Sequence, residues 1–268
     1  AGSFAPPSNA NTNKKVLNYI CSPDLFYYCT NGNNMQVNGV FFSSGRGNYL
    51  DYGLRGRIPP HLFYPISNAT DLSYTFYCMP LLNPYKWNVT NGEDGEFYSA
   101  DTFSKLTKLI SLSNMFYFCI IPAHINLPVD SYINCIQLQD ISSMFLSAQF
   151  ESTSAMRQQV DGNLFSRNVN LRNISYAFAS GQSTGDWSGR SPKKIDSTLF
   201  NVNKHKQLNN VTGLFCNAVS TVGSVPEFWN WLNALNAASR ANTFYAMKKS
   251  NLSNSKSIPT DWANGMTD

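Results

Sequence analysis

The sequence predicts an α/β solenoid of about six irregular units, stacked on one another and built of short helices, short strands and long loops. Two observations predict it. One short phrase returns six times: an apolar residue, a Ser or Thr, two variable positions, then Phe. Its clear copies are Leu72-Ser73-Tyr74-Thr75-Phe76, Leu112-Ser113-Asn114-Met115-Phe116, Ile141-Ser142-Ser143-Met144-Phe145, Ile174-Ser175-Tyr176-Ala177-Phe178 and Val211-Thr212-Gly213-Leu214-Phe215, with a worn copy ending at Phe244. The Phe anchors are 40, 29, 33, 37 and 29 residues apart, and a period between about 20 and 50 residues marks a stacked array. A second phrase precedes most copies. It reads Ile58-Pro59-Pro60-His61-Leu62-Phe63, Val160-Asp161-Gly162-Asn163-Leu164-Phe165 and Ile195-Asp196-Ser197-Thr198-Leu199-Phe200. Shorter forms start at Val225 and Ile258, one copy at Asp101 lacks the leading apolar residue, and one at Val129 is degenerate. Phe63, Phe103 and Phe165 each precede the next anchor by 13 residues.

The elements follow in order. Residues 1–15, rich in Pro, Ser and Asn, read as an arm or linker. Residues 16–55 do not follow the repeat and read as an N-terminal cap; residues 56–268 form the repeat array. In the upstream phrase the second position alternates between Pro and Asp. One place accepts both, the start of a helix: Pro has no N–H to leave unpaired, and Asp caps free N–H groups. A short helical turn is therefore expected there, with Leu62, Phe63 and their equivalents inward. The downstream phrase extends back to Leu109, Leu138, Leu171 and Leu208, giving apolar positions i, i+3 and i+7. Two readings fit: one face of a helix, or a short strand ending at the apolar residue with Ser or Thr capping a short helix. Both bury the same residues. One unit cannot bury its apolar face alone, so Phe76, Phe116, Phe145, Phe178 and Phe215 are expected to form a core ladder between neighbours.

Composition bounds the function. The chain of 268 residues is 43% hydrophobic but only 13% charged, about half the usual charged share. Its 32 asparagines outnumber its 20 Lys and Arg. A surface of neutral amides and hydroxyls suits contact with protein or glycan; AT-rich codon usage would give the same bias. A net charge of +4 without a basic run interleaved with aromatics argues against nucleic acid. The apolar stretch from Met115 to Pro122 is too short to span a bilayer, and no secretory signal is visible. The chain opens on Ala1, read as loss of an initiator or leader or as part of a longer chain.

Chemistry-bearing motifs are sparse. The six Cys contain no C-x-x-C pair or zinc spacing. Cys78, Cys119 and Cys216 follow an anchor Phe by one to three residues and read as buried free thiols; Cys21 and Cys29 could close a disulfide in an extracellular setting; Cys135 has no evident partner. His61, His124 and His205 are isolated, and no nucleophile elbow, zincin, phosphate-loop or dinucleotide motif occurs. No catalytic residue, metal ligand or cofactor is expected. Sequons stand at Asn68, Asn88, Asn173, Asn210 and Asn251; those at Asn173 and Asn210 arise from the repeat phrase. Two candidate contact regions remain. One is a turn-rich basic loop with Arg46, Tyr49, Tyr52, Arg55 and Arg57. The other is a C-terminal interface at Trp229, Phe244 and Trp262, because the unit opened at Ile258 has no downstream phrase to cover it.

The pattern Ile-Pro-x-x-Leu-Phe, a polar stretch, Leu-x-x-Ile-Ser-x-Met-Phe and a nearby Cys resembles the BspA-type leucine-rich repeat of bacterial and phage-borne surface proteins. The resemblance covers roughly residues 56–268. Ile58 to Cys78 and Leu109 to Cys119 carry it best, and insertions at Pro84–Ser99 and Gly181–Lys194 depart from it. It implies a leucine-rich-repeat-like solenoid that is surface-displayed and non-catalytic, with no transferable site residues. The expected partners are other protein subunits, copies of itself or surface glycans. The expected setting is a virion or a cell surface, with an adhesin or a glycan-processing enzyme on a repeat scaffold as alternatives.

Overall fold

The computed structural model describes residues 21–22, 24–29, 35–36, 58–77, 95–96, 98–121, 125–150, 159–181, 192–232 and 235–268. Regular secondary structure is sparse among them. There are eight strands of two or three residues: β1 (Met35–Gln36), β2 (Ala69–Asp71), β3 (Gly95–Glu96), β4 (Ile120–Ile121), β5 (Ile125–Asn126), β6 (Gln149–Phe150), β7 (Gln159–Val160) and β8 (Lys194–Ile195). They pair in parallel as β1–β2, β3–β5, β4–β6 and β7–β8. One short helix, α1 (Ala237–Arg240), and several 3-10 turns complete the set. Turns are the commonest backbone form among the described residues, and their organisation carries the fold.

The downstream phrase keeps one part of the second expected form, a parallel bridge immediately before the apolar residue, but the helix of neither form is there. Its helical reading fails at one backbone position. Tyr74, Asn114, Ser143, Tyr176, Gly213 and Asn242 all have φ between 54° and 60°, a left-handed conformation that a right-handed helix excludes. In each clear copy the residue after it donates its N–H to the apolar residue three places earlier, as Met115 does to Leu112 and Ala177 to Ile174, both at 3.2 Å. This is a β-turn of the type II class, whose third residue needs positive φ. A second such turn follows in several units, with Phe118, Ser147, Asn217 and Ala246 in the left-handed position and bonds such as Cys119 N–H to Phe116 O at 3.1 Å. Paired turns return the same side chains inward as the i, i+3, i+7 pattern, which is why the pattern alone misassigned them.

Successive turns stack. Leu112, Asn114, Phe116 and Phe118 donate their N–H groups to Asp140, Ser142, Met144 and Leu146 of the next unit, at 2.9–3.0 Å. Ile141, Ser143, Phe145 and Ser147 repeat this toward Asn173, Ser175, Ala177 and Ala179. Just before each turn pair the chain forms a parallel bridge to its neighbour, in the order Asp71, Ser111, Asp140, Asn173, Asn210. The bridging side chain also serves its own turn. Asp71 and Asp140 Oδ1 accept from Ser73 and Ser142 N–H at 2.8 and 2.7 Å. Asn173 and Asn210 do the same for Ser175 and Thr212 at 3.2 and 3.1 Å. The two repeat-derived sequons thus spell a turn-capping side chain.

The upstream phrase forms a tight turn or a 3-10 turn, the latter at Ala100–Phe103 and Phe228–Asn230, while in the first copy a tight turn leads into the 3-10 turn Tyr64–Ile66. The Asp alternative works as a cap: Asp161 and Asp196 Oδ1 accept from the N–H two residues on, at 2.8 Å. Leu62 and Phe63 are fully buried. Two columns of rings result. Phe76, Phe116, Phe145, Phe178, Phe215 and Phe244 stack within 21° of parallel, with centroids 5.4–6.1 Å apart. Phe26, Phe63, Phe103, Tyr132, Phe165, Phe200, Phe228 and Trp262 form the second column at 5.1–6.3 Å. Tyr132 fills the ring place of the copy that looked degenerate, also 13 residues before its anchor. One buried apolar cluster runs from Phe26 to Trp262.

The described part of residues 16–55 stands in the register of the units: Phe26 stacks on Phe63, and β1 pairs with β2 through Met35↔Ala69 and Gln36↔Asp71. These contacts seat the described part of the expected cap on the first unit. At the other end, Trp229, Phe244 and Trp262 are not an outward face, being 8%, 0% and 3% exposed. The chain after Trp262 turns back at once. Ala246 N–H donates to Gly265 O at 2.7 Å, and Lys249 N–H to Thr267 O at 2.8 Å. This short return, with Ala263 and Met266 packed on the cluster, covers the rings without a downstream phrase.

Candidate interaction surface

Between each upstream ring and the next turn pair lies a loop: residues 104–110, 133–139, 166–172 and 201–209. Buried apolar residues pin each loop at Leu106 and Leu109, Cys135 and Leu138, Leu171, or Leu208. Backbone bonds join them in succession: Gln139 N–H to Ile110 O, Arg172 N–H to Gln139 O and Asn209 N–H to Arg172 O, each at 2.9 Å. Amide side chains add cross-links. Asn134 Nδ2 donates to Ser104 O at 3.0 Å, Asn170 Nδ2 to Ile136 O at 2.7 Å, Gln207 Nε2 to Asn170 Oδ1 at 3.1 Å and Arg172 Nε to Gln207 Oε1 at 3.3 Å. Asparagine side chains such as Asn134 and Asn170 thus have structural work, holding one unit to the next. The outer side of these loops exposes Lys105, Lys108, Arg167, Arg172, Lys204 and Lys206, and none of the four loops contains Asp or Glu. The sequence reading missed this edge because its cations are spread over a hundred residues and only stacking gathers them. The available signal was the absence of acid from the same segment of each unit.

The isolated His and Cys residues have a shared structural role. Cys135, Asn168 and His205 occupy one place in three consecutive units, each near the backbone carbonyl of the preceding unit's ring residue. Cys135 Sγ points to Phe103 O at 3.7 Å, Asn168 Nδ2 donates to Tyr132 O at 2.9 Å, and His205 Nε2 donates to Phe165 O at 3.1 Å. His205 Nδ1 accepts from Asn201 N–H at 3.1 Å, so the ring is neutral with its proton on Nε2. Burial lowers its pKa. Burial also pushes the Cys135 thiol up to about 12, and the buried Tyr98 and Tyr132 hydroxyls share a 2.7 Å hydrogen bond.

The remaining candidates divide. Arg46, Tyr49, Tyr52, Arg55 and Arg57 lie outside the described residues, as do Cys78 and His124. Cys119 is fully buried, as expected, and its thiol points to Phe76 O at 3.0 Å, whereas Cys216 is only partly buried. Cys21 and Cys29 are free thiols. His61 is exposed and stands 3.9 Å from Asp101. Among the described residues no group of three or more His, Cys, Asp or Glu could hold a metal, and no helix is long and apolar enough to cross a membrane. No family model, curated protein or solved structure matches the chain.

Proposed function

We propose that the chain is a leucine-rich-repeat-like solenoid serving as a non-enzymatic structural and interaction module of a surface-displayed assembly, either a virion component or a cell-surface protein. The observation that carries this reading is where the reactive side chains are spent. The buried His205 and Cys135 and the amides contact the neighbouring unit, the capping Asp residues hold their own turns, and the outer loops present a long, repetitive surface of amides and cations. Such a surface makes many modest contacts along its length, with protein subunits or glycans. Two measurements on the native source test it. Antibody labelling is expected to decorate intact particles or unpermeabilised cells; labelling only after lysis overturns the display. The purified chain is expected to leave a panel of polysaccharides unchanged in length; sustained depolymerisation would instead support an enzyme on a repeat scaffold. Decoration of cells without particles selects the adhesin.

A further inference from the structure

We infer that the stacked edge of Lys105, Lys108, Arg167, Arg172, Lys204 and Lys206 is a docking site for an acidic polysaccharide. This deepens the glycan arm of the function proposed above and rests on that arm. Three observations favour this ligand. Three of the four loops place six exposed cations along one edge, two each, and none of the four carries a carboxylate; with neighbouring units about 4.8 Å apart as in any parallel pairing, a linear polyanion lying across the units meets paired cations on both sides of the amide-bearing loop 133–139. The rest of the edge is rich in amides such as Asn134, Gln137, Asn203 and Asn209, which suit sugar hydroxyls. Protein interfaces are anchored by aromatic side chains and depleted in Lys. Here four of the six cations are Lys, and the exposed apolar residues on the loops are Ile110, Ile136, Val169 and Val202, with no aromatic. Single-stranded nucleic acid would also call for rings to stack bases. Several of the side chains are already held: Lys108 donates to Asn68 Oδ1 at 2.8 Å and Lys105 lies over the Tyr64 ring. Less of their freedom is then lost on binding.

The test titrates the full chain with polygalacturonate, with neutral dextran, with poly-glutamate and with a DNA duplex, at about 20 and about 200 mM salt, a range over which screening of exposed charges strengthens markedly. Polygalacturonate is expected to bind at the lower salt and to weaken at the higher, with dextran inert. A Lys204→Gln/Lys206→Gln variant is expected to bind about tenfold more weakly. A Lys248→Gln/Lys256→Gln variant, with the same change of net charge at exposed sites elsewhere, is expected to bind as the parent does. Unchanged circular dichroism and melting of both variants keep folding out of the comparison. No binding of polygalacturonate at low salt overturns the proposal, as does equal loss in the two variants. Tighter binding of poly-glutamate or of the duplex, lost in the Lys204/Lys206 variant, would assign the edge to protein or nucleic acid and overturn the polysaccharide. Labelling of intact particles or cells, measured separately, shows whether the display reading stands when this edge falls.

Discussion

Gly213 occupies the left-handed place that Tyr74, Asn114, Ser143, Tyr176 and Asn242 fill in other units, so positive φ alone does not require glycine there. Its neighbour does. The Tyr176 ring of the preceding unit lies over it, and a Cβ would fall 2.1 Å from Tyr176 Cε1. Gly213→Ala is expected to cost about 1–3 kcal/mol by crowding and backbone strain. In a Tyr176→Ala background the cost should shrink to about 1 kcal/mol, the strain alone; equal costs in the two backgrounds, by chemical denaturation, would show that the ring yields freely. His205 makes a second residue-scale prediction. Its folded pKa lies below its unfolded value near 6.5, because burial disfavours the charged ring and the Asn201 N–H occupies Nδ1. The unfolded chain therefore binds the extra proton more readily. The neutral ring's contribution is complete above about pH 6.5 and falls as pH drops below it. His205→Asn, which copies Asn168 one unit earlier, should flatten the stability profile between about pH 7.5 and 5.5. An unchanged slope would place the titrating group elsewhere.

At the scale of the element, the bridging column never places two carboxylates side by side: Asp71, Ser111, Asp140, Asn173, Asn210. A carboxylate caps this turn at 2.7 Å and an amide oxygen at 3.2 Å, so local demands do not explain the choice of Asn at 173. Its neighbour does, since Asn173 bridges Asp140 directly. Asn173→Asp is expected to lose about 0.5–1 kcal/mol through like charges on paired strands, and Asn210→Asp, which adjoins Asn173 only on that side, clearly less. Urea midpoints at neutral pH and low salt measure the difference; equal midpoints would remove the repulsion argument. The same element shows how far sequence reading reached. The inward residues Leu109, Leu112 and Phe116 were legible because burial leaves a periodic mark. The turn geometry was not, because Tyr, Asn, Ser and Gly share one left-handed place and give no common residue to recognise. Tyr132 escaped because a search for Phe does not find the ring that replaces it. The basic edge escaped because its members meet only after folding.

For the whole molecule, the two ring columns set where stability resides. Phe145 and Phe178 each lie between two stacked rings, and both are at most 1% exposed. Phe145→Ala and Phe178→Ala should each cost about 3–5 kcal/mol, since each leaves a cavity that the turn ladder on either side resists closing. Near-parent denaturation midpoints would mean that the columns contribute little. The losses should also be local, because each unit touches chiefly its neighbours.

The direction of the backbone bonds between turn pairs has a mechanical consequence. They run from unit to unit, along the line of stacking, so tension applied between the ends loads them one row at a time. Such a molecule should yield as a series of small steps, each releasing one interval of 29 to 40 residues, or about 10–14 nm of extended chain. A component mounted by one end on a surface and pulled by the other would then lengthen gradually under load, absorbing work at each step. Single-molecule extension with handles at the two ends would register this as a sawtooth of that period, and one abrupt release of the full length would show that the rows act together.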